Sequence, residues 1–229
     1  MKRTYMSRII IFANGDLPNL EKARALLRDD DFIIAADGGT RHALALGRSP
    51  NIIIGDMDSF NVERSTVNAK LLRFPADKNE TDLELAIAHA LKLNPKQVII
   101  VAALGGRLDQ TLGNIALLGD LRPSTLRHGE RKSNRQCNAF DLRLDDGIEE
   151  VFFCRSHCEI NGMAGDLVSL IPWQGEAAGV VTENLKWALR DETLYPHKTR
   201  GISNEMLGDT AVVQIKSGLL LVVHRRLDH

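Results

Sequence analysis

Ile52-Ile53-Ile54-Gly55-Asp56-Met57-Asp58-Ser59 is the stretch that decides the fold. Three β-branched residues in a row read as a strand buried on both faces, as found inside a parallel sheet. Gly55 ends the strand and leaves Asp56 and Asp58 at its carboxyl end, where open α/β sheets place their ligands. On extended backbone the two carboxylates point the same way, roughly 6–7 Å apart at Cα. That separation suits two acids leaning on one Mg²⁺ or on its water shell. Acids are also common turn formers after strands. What favours a site is that the same pattern recurs along the first half of the chain.

Working outward, Arg8 to Ala13 reads as a strand ending in Asn14-Gly15-Asp16, and Phe32 to Ala36 as one closed by Asp37-Gly38-Gly39. Leu71 to Phe74 is a weaker strand cut off by Pro75, and Gln97 to Leu104 a buried one ending in Gly105-Gly106-Arg107-Leu108-Asp109. Helical stripes lie between them: Leu20, Ala23, Leu26 and Leu27 after Pro18, a short helix from Thr40 to Leu46, and Leu83, Ala86, Ile87, Ala90 and Leu91 on one face. A last helix runs through Leu112, Ile115 and Leu118. Strand and helix alternate, so residues 1–120 are expected to form an α/β domain with a doubly wound, mostly parallel, Rossmann-like sheet.

The pattern changes after Gly119. Residues 121–140 carry Arg122, Arg127, Arg131, Lys132 and Arg135 against one acid, Glu130, and read as a basic linker or insertion. They lack the interleaved aromatics of a nucleic-acid surface. From 141 to 229, short apolar runs at Val151–Cys154, Leu167–Ile171, Gly179–Thr182, Ala211–Ile215 and Leu219–His224 alternate with turn residues. They imply a second domain, a C-terminal antiparallel β-sandwich, with Ser217-Gly218 as a hairpin turn.

The chain has 229 residues, 44% of them apolar and 26% charged, with a net charge of −1. That balance argues against general nucleic-acid or membrane-surface binding. The apolar run after the basic opening is too short for a signal peptide, and no stretch reaches the length of a membrane span. Cys137, Cys154 and Cys158 lack disulfide-framework spacing; Cys154-x-x-His157-Cys158 lacks the second ligand pair of a structural zinc site. Free thiols and a cytoplasmic location are expected.

Asp37, Asp56 with Asp58, Asp82 and Asp109 all stand at strand ends or helix starts, which a doubly wound sheet gathers along one edge. Crowded carboxylates repel unless a cation stands between them. Oxygen-only ligands point to Mg²⁺, which completes its shell with substrate phosphates. Gly38-Gly39 and Gly105-Gly106 allow backbone N–H groups to approach an anion, and Arg107 adds a charge-assisted donor. Asn79-x-x-Asp82 also fits a helix cap, Asp109 a first-turn acid and Asp37-Gly38 a simple turn. No Walker A sequence is present.

Taken in order, Asp37-Gly-Gly, Gly-Asp56-Met-Asp58-Ser59, Asp77-Lys-Asn-Glu-Thr81-Asp82 and Gly-Gly-Arg107-Leu-Asp109-Gln110 resemble the thiamine pyrophosphokinase family. So do Gly165-Asp166 through Pro172, Thr182-Glu-Asn-Leu-Lys-Trp187, Thr199 through Ser203-Asn204-Glu205, and Lys216 through Val223. The resemblance implies an ATP-binding α/β domain and a thiamine-binding sandwich. It also implies a homodimer with sites between subunits, and transfer of diphosphate from ATP to the hydroxyethyl group of thiamine. By motif, Asp37, Asp56, Asp58, Asp82 and Asp109 would hold Mg²⁺ and the triphosphate. The metal itself falls to Asp56, Asp58 and Asp82. Gly38, Gly39, Thr81 and Gln110 would support the nucleotide, and Arg107 would take up developing charge. Trp187, Ser203 and Asn204 would face thiamine, whose flat cation an indole can stack on; a core tryptophan is the plainer reading of Trp187. Asn184 stands where the family has glycine, and Pro196-His197 where it has Phe-Gly. The competing readings are another Mg²⁺ enzyme with a D-x-D pair, such as a phosphohydrolase or sugar-nucleotide transferase, and a binding protein without turnover.

Overall fold

The structure, a computed structural model, describes residues 7–56, 68–119 and 140–228. Asp58 and Cys137, and nearly all of the basic stretch 121–140, lie outside the described residues. The chain forms two compact units, Met1–Asp146 and Gly147–His229.

In the first unit, β1 (Arg8–Phe12), β2 (Phe32–Ala36), β3 (Ile52–Gly55), β4 (Lys70–Arg73), β5 (Gln97–Val101) and β6 (Asp141–Asp145) make a parallel sheet. Its order is β6-β5-β1-β2-β3-β4. Among the described residues four α-helices accompany it: α1 (Leu20–Ala25), α2 (Thr40–Ala45), α3 (Asp82–Lys92) and α4 (Leu108–Gly119). Ile10 and Phe12 of β1 pack with Ala23 of α1 and Ala43 of α2, together with Ile33, Ile99 and Val101. Ile9 and Ile11 alternate to the opposite face and are also fully buried. Burial on both faces is why β1 to β3 read as unbroken apolar runs. β6 is the surprise. Its Asp-Leu-Arg-Leu-Asp alternation resembles an antiparallel strand of the second domain, yet Gln97 to Ile100 pair with Asp141 to Leu144 in parallel. One side-chain contact fastens β6 to β5, Gln97 Nε2 donating to Asp141 Oδ2 at 2.6 Å, while Arg143 Nη2, on β6 itself, donates to Asp141 Oδ1 at 2.7 Å.

α3 shows how a local signal is redirected. The N-cap is Thr81, whose Oγ1 accepts from Glu84 N at 3.1 Å, instead of the Asn79 that the spacing to Asp82 suggests. Gly39 marks the tightest packing near the strand ends, because a Cβ there would collide with the backbone carbonyl of Phe12. Gly39→Ala is therefore expected to cost about 3 kcal/mol, the upper end of ordinary overpacking, since a backbone atom cannot rotate away. Denaturant melts against the unsubstituted chain measure it; an unchanged midpoint would show that β1 and the turn can separate freely.

The second unit holds two antiparallel sheets. One has the order β12 (Asn204–Glu205), β9 (Leu167–Pro172), β14 (Leu220–Arg225), β7 (Glu149–Cys154). The other runs β11 (Arg190–Leu194), β10 (Ala177–Glu183), β13 (Thr210–Gln214), β8 (His157–Asn161). Their inner faces share one core, with Phe152, Val168, Leu170, Leu220 and Val222 meeting Ile160, Val180, Ala211 and Val213. Ser217-Gly218, expected as a hairpin turn, does not join two paired strands. β13 and β14 lie in different sheets, so this turn carries the chain across the core while each strand pairs with other partners.

Within that unit His224 is fully buried between two acids, Nδ1 at 3.3 Å from Glu150 Oε2 and Nε2 at 3.0 Å from Asp166 Oδ2. Arg226 Nη2 also reaches Glu150, at 3.3 Å. His224→Ala leaves two buried carboxylates short of a partner and is expected to cost about 3–5 kcal/mol in chemical denaturation. A loss below about 1 kcal/mol would mean that water takes over the imidazole's contacts. Among the described residues, no helix is long and apolar enough to cross a membrane.

Candidate active site

All six strands of the first sheet run the same way, so their carboxyl ends share one edge. After β1 the chain moves outward to β2, β3 and β4, then returns to place β5 on β1's other side. The strand order therefore reverses between β1 and β5, where ligands of such sheets bind. Reading along the edge from β3 to β5, the strand ends present Asp56, Asp37, Asn14-Gly15-Asp16 and the loop Ala102 to Arg107. Three inter-strand steps of about 4.8 Å make a row about 14 Å long.

Asp37 is the most telling residue in this row. It opens a 3₁₀ turn, Asp37–Gly39, with a left-handed backbone, φ +43°, which aspartate tolerates better than most residues. Only 8% of it is exposed, and among the described residues Oδ1 has no hydrogen-bond partner. A buried acceptor left without a donor is costly, and its persistence at a strand end favours a ligand-binding role. The Asp37 Cβ lies against Gly55, so the acid sits beside the end of β3, where the half-buried Asp56 follows.

Across the switch point, Gly105 and Gly106 both have positive φ, +80° and +73°, before α4 begins. The Asp16 carboxylate lies against the positions where their side chains would start. Arg107 grips Asp109 through two bonds, Nε to Oδ1 at 3.1 Å and Nη2 to Oδ2 at 2.6 Å. This exposed pair draws the Asp109 carboxyl below the ordinary range, the Arg107 hydrogen bond leading and the Gln110 N–H assisting. The same contact raises Arg107. Thr81, Asp109 and Gln110 come together in a groove of about 310 Å³, joined by Glu84, Gly113, Asn114 and Leu117. Asp82 begins α3 beside Thr81, its Oδ1 held at 2.8 Å by Lys78 Nζ.

The three residues read as facing thiamine also meet, in the second unit. Asn204 is buried, and its amide spans the backbone of Trp187: Trp187 N donates to Oδ1 at 3.0 Å and Nδ2 donates to Trp187 O at 2.8 Å. Ser203 precedes it with φ +56°, its N–H bonded to Ser169 Oγ at 3.0 Å. Trp187 itself is 51% exposed, which overturns the core-tryptophan reading. Lys186 Nζ stands 5.1 Å from its ring centre while pairing with Glu205 Oε2 at 2.8 Å. Asn184, in the family's glycine position, has φ +58°. Asparagine is the side chain best suited to stand in for glycine there.

Asn14, Asp16, Glu84 and Asn114 join the site only through the fold. Asn14 and Asp16 had a signal, since they end the first strand, but their weight depends on β1 bordering the switch point. Asn114 Nδ2 donates to Ala103 O at 2.8 Å, tying α4 to the loop after β5. That contact has no local signature.

Comparison with known proteins adds an independent line. Residues 23–127 match the family model for the thiamin pyrophosphokinase catalytic domain, and residues 157–220 the model for the thiamin pyrophosphokinase vitamin B1 binding domain. Thiamine pyrophosphokinase of Bacillus subtilis (strain 168) is 25% identical over 227 residues, spanning 95% of this chain and 98% of that protein. Thiamin pyrophosphokinase 1 of Caenorhabditis elegans is 28% identical over 234 residues, 96% of this chain and 90% of that one. The crystal structure of thiamine pyrophosphokinase from Bacillus subtilis covers 97% of this chain and all of its own, with a TM-score of 0.81 at 23% identity. Yeast thiamin pyrophosphokinase gives 0.66 at 18%, over 96% and 86%. These two structures speak for the fold. With both family models matched in order along one chain, it belongs to the thiamine pyrophosphokinase family.

Proposed function

We propose that this chain transfers a diphosphate from ATP to the hydroxyethyl group of thiamine, giving thiamine diphosphate and AMP, with Mg²⁺ on the triphosphate. It is a diphosphotransferase by family. The observation that carries the metal is the buried Asp37 oxygen without a donor, beside Asp56 on the ligand-binding edge of the sheet. A carboxylate cannot face phosphate oxygens without a cation between them. Asp37, Asp56, Asp58 and Asp82 are the residues proposed to hold the ion and the phosphates, which fits a donor set of oxygens alone. Bound there, Mg²⁺ would neutralise the phosphate oxygens.

The chain's own part is positioning. Gly38, Gly39 and the Gly105-Gly106 loop let backbone N–H groups close on phosphate oxygens. Arg107, which Asp109 holds ready, turns its fork to the charge that builds on the departing AMP. Thr81 and Gln110 line the groove that steadies the nucleotide. Trp187 stacks on the thiamine cation, with Ser203 beside it and Asn204 fixing the Trp187 backbone. Asp58 or Asp82 takes the hydroxyl proton. The cysteine pattern, without disulfide-framework spacing, supports a reducing cytoplasm as the place of work, and the family resemblance implies a homodimer with sites shared between subunits.

Product analysis tests the reaction. With ATP, Mg²⁺ and thiamine, AMP and thiamine diphosphate are expected in equal amounts, resolved by ion-pair chromatography. ADP or free phosphate would point to a phosphohydrolase-like enzyme, and tight binding without turnover to a sensor.

A further inference from the structure

Cys154 is the last residue of β7, and Cys158 the second residue of β8. The two strands belong to opposite sheets of the second unit. Cys154 is in register with Leu220 on β14, and Cys158 with Val213 on β13. Yet the Cys154 thiol points across the core, its Sγ donating to the Val213 carbonyl at 3.9 Å. It thus reaches the very residue that Cys158 pairs with. Cys158 is half-buried and packs against the cluster that contains Cys154. Neither is held in a disulfide.

We infer that Cys154 and Cys158 form a reversible dithiol–disulfide couple that clips one sheet of the sandwich to the other. The accessible partner is Cys158. Its thiolate attacks a small-molecule disulfide such as oxidised glutathione, forming a mixed disulfide and releasing one glutathione. The buried Cys154 thiolate then attacks Cys158 Sγ and expels the second glutathione. Two electrons pass from the cysteine pair to the oxidant, and the two cysteine protons leave with the glutathione thiols. A hydrogen bond from Cys158 pulls the Cys154 thiol below its ordinary range, with the Ser156 backbone assisting, although burial pushes the other way. That favours the thiolate needed in the second step.

The test uses the full, folded, reduced chain with excess oxidised glutathione, followed by an acid quench, alkylation and peptide mapping. Trypsin cuts after Arg155, so the two cysteines fall on separate peptides that only a disulfide can join. The expected result is a joined pair lighter by two hydrogens than the separate peptides and released by reductant. Cys154→Ser is expected to trap glutathione on Cys158. Three results in the unsubstituted chain would overturn the inference: alkylation of both cysteines, glutathione persisting on Cys158 beside a free Cys154, or either cysteine joined to Cys137.

Discussion

Asp37→Asn is expected to lower turnover by about 10²–10³-fold, the usual cost of removing one preorganised electrostatic contact, while the fold stands. The two halves of that expectation come from the same geometry. Asparagine fits the volume against Gly55 and accepts the left-handed φ of +43°. The Asp37 backbone carbonyl keeps its bond from Thr40 Oγ1 at 3.0 Å. Oδ1 takes no hydrogen bond from the described residues, so replacing the carboxylate breaks none of theirs there. Thermal stability should therefore hold or rise, the pattern expected where an active site is kept at the expense of stability. Steady-state rates with saturating thiamine and varied Mg²⁺–ATP, beside calorimetry of the free protein, measure both. Full activity would remove Asp37 from the site. A collapsed fold would show that its carboxylate is structural after all.

Trp187→Ala is expected to raise the thiamine KM about tenfold, the equivalent of a well-placed cation–π contact, and to leave the ATP KM alone. The ring is half exposed, so its removal opens no core cavity, and Asn204 grips backbone atoms that alanine retains. Stability should change little. Asn204→Ala makes the contrast, because it strips two bonds from the Trp187 backbone and leaves those groups unpaired. It should lower both stability and thiamine affinity. Competitive titration of thiamine, with the ATP KM measured in parallel, separates the two. A larger shift in the ATP KM for Trp187→Ala would contradict its placement.

The sequence revealed what packing imposes on composition. Strands buried on both faces must be apolar throughout, so β1, β2, β3 and β5 are legible as runs of isoleucine and valine ending in acids and glycines. Edge strands escape that rule. β8 and β11 are the outer strands of the second unit's β11-β10-β13-β8 sheet, and His-Cys-Glu-Ile-Asn and Arg-Asp-Glu-Thr-Leu carry too few apolar residues to stand out. β4, also at an edge, was faint for the same reason. Ser217-Gly218 misled because a turn's composition specifies a change of direction and says nothing about which strands pair afterwards. The acids showed in the sequence as a set, and their shared edge follows from parallel strands. Which strand end borders the switch point depends on strand order, so Asn14 and Asp16 gained their place only with the topology. The Asn204 clamp on Trp187 is likewise a contact between residues 17 apart, with nothing in either residue to announce it.

The central claim is that carboxylates from separate strand ends converge on one divalent ion and the phosphates it carries. Mn²⁺ substitutes for Mg²⁺ and is located by its anomalous scattering, so a crystal structure with Mn²⁺, a non-hydrolysable ATP analogue and thiamine tests it directly. The account predicts the ion at the carboxyl edge of the first sheet, about 2.1–2.2 Å from an oxygen of Asp37 or Asp56 and bridged to the triphosphate. An ion bound elsewhere, with the Asp37 and Asp56 side chains turned away from the nucleotide, would contradict it.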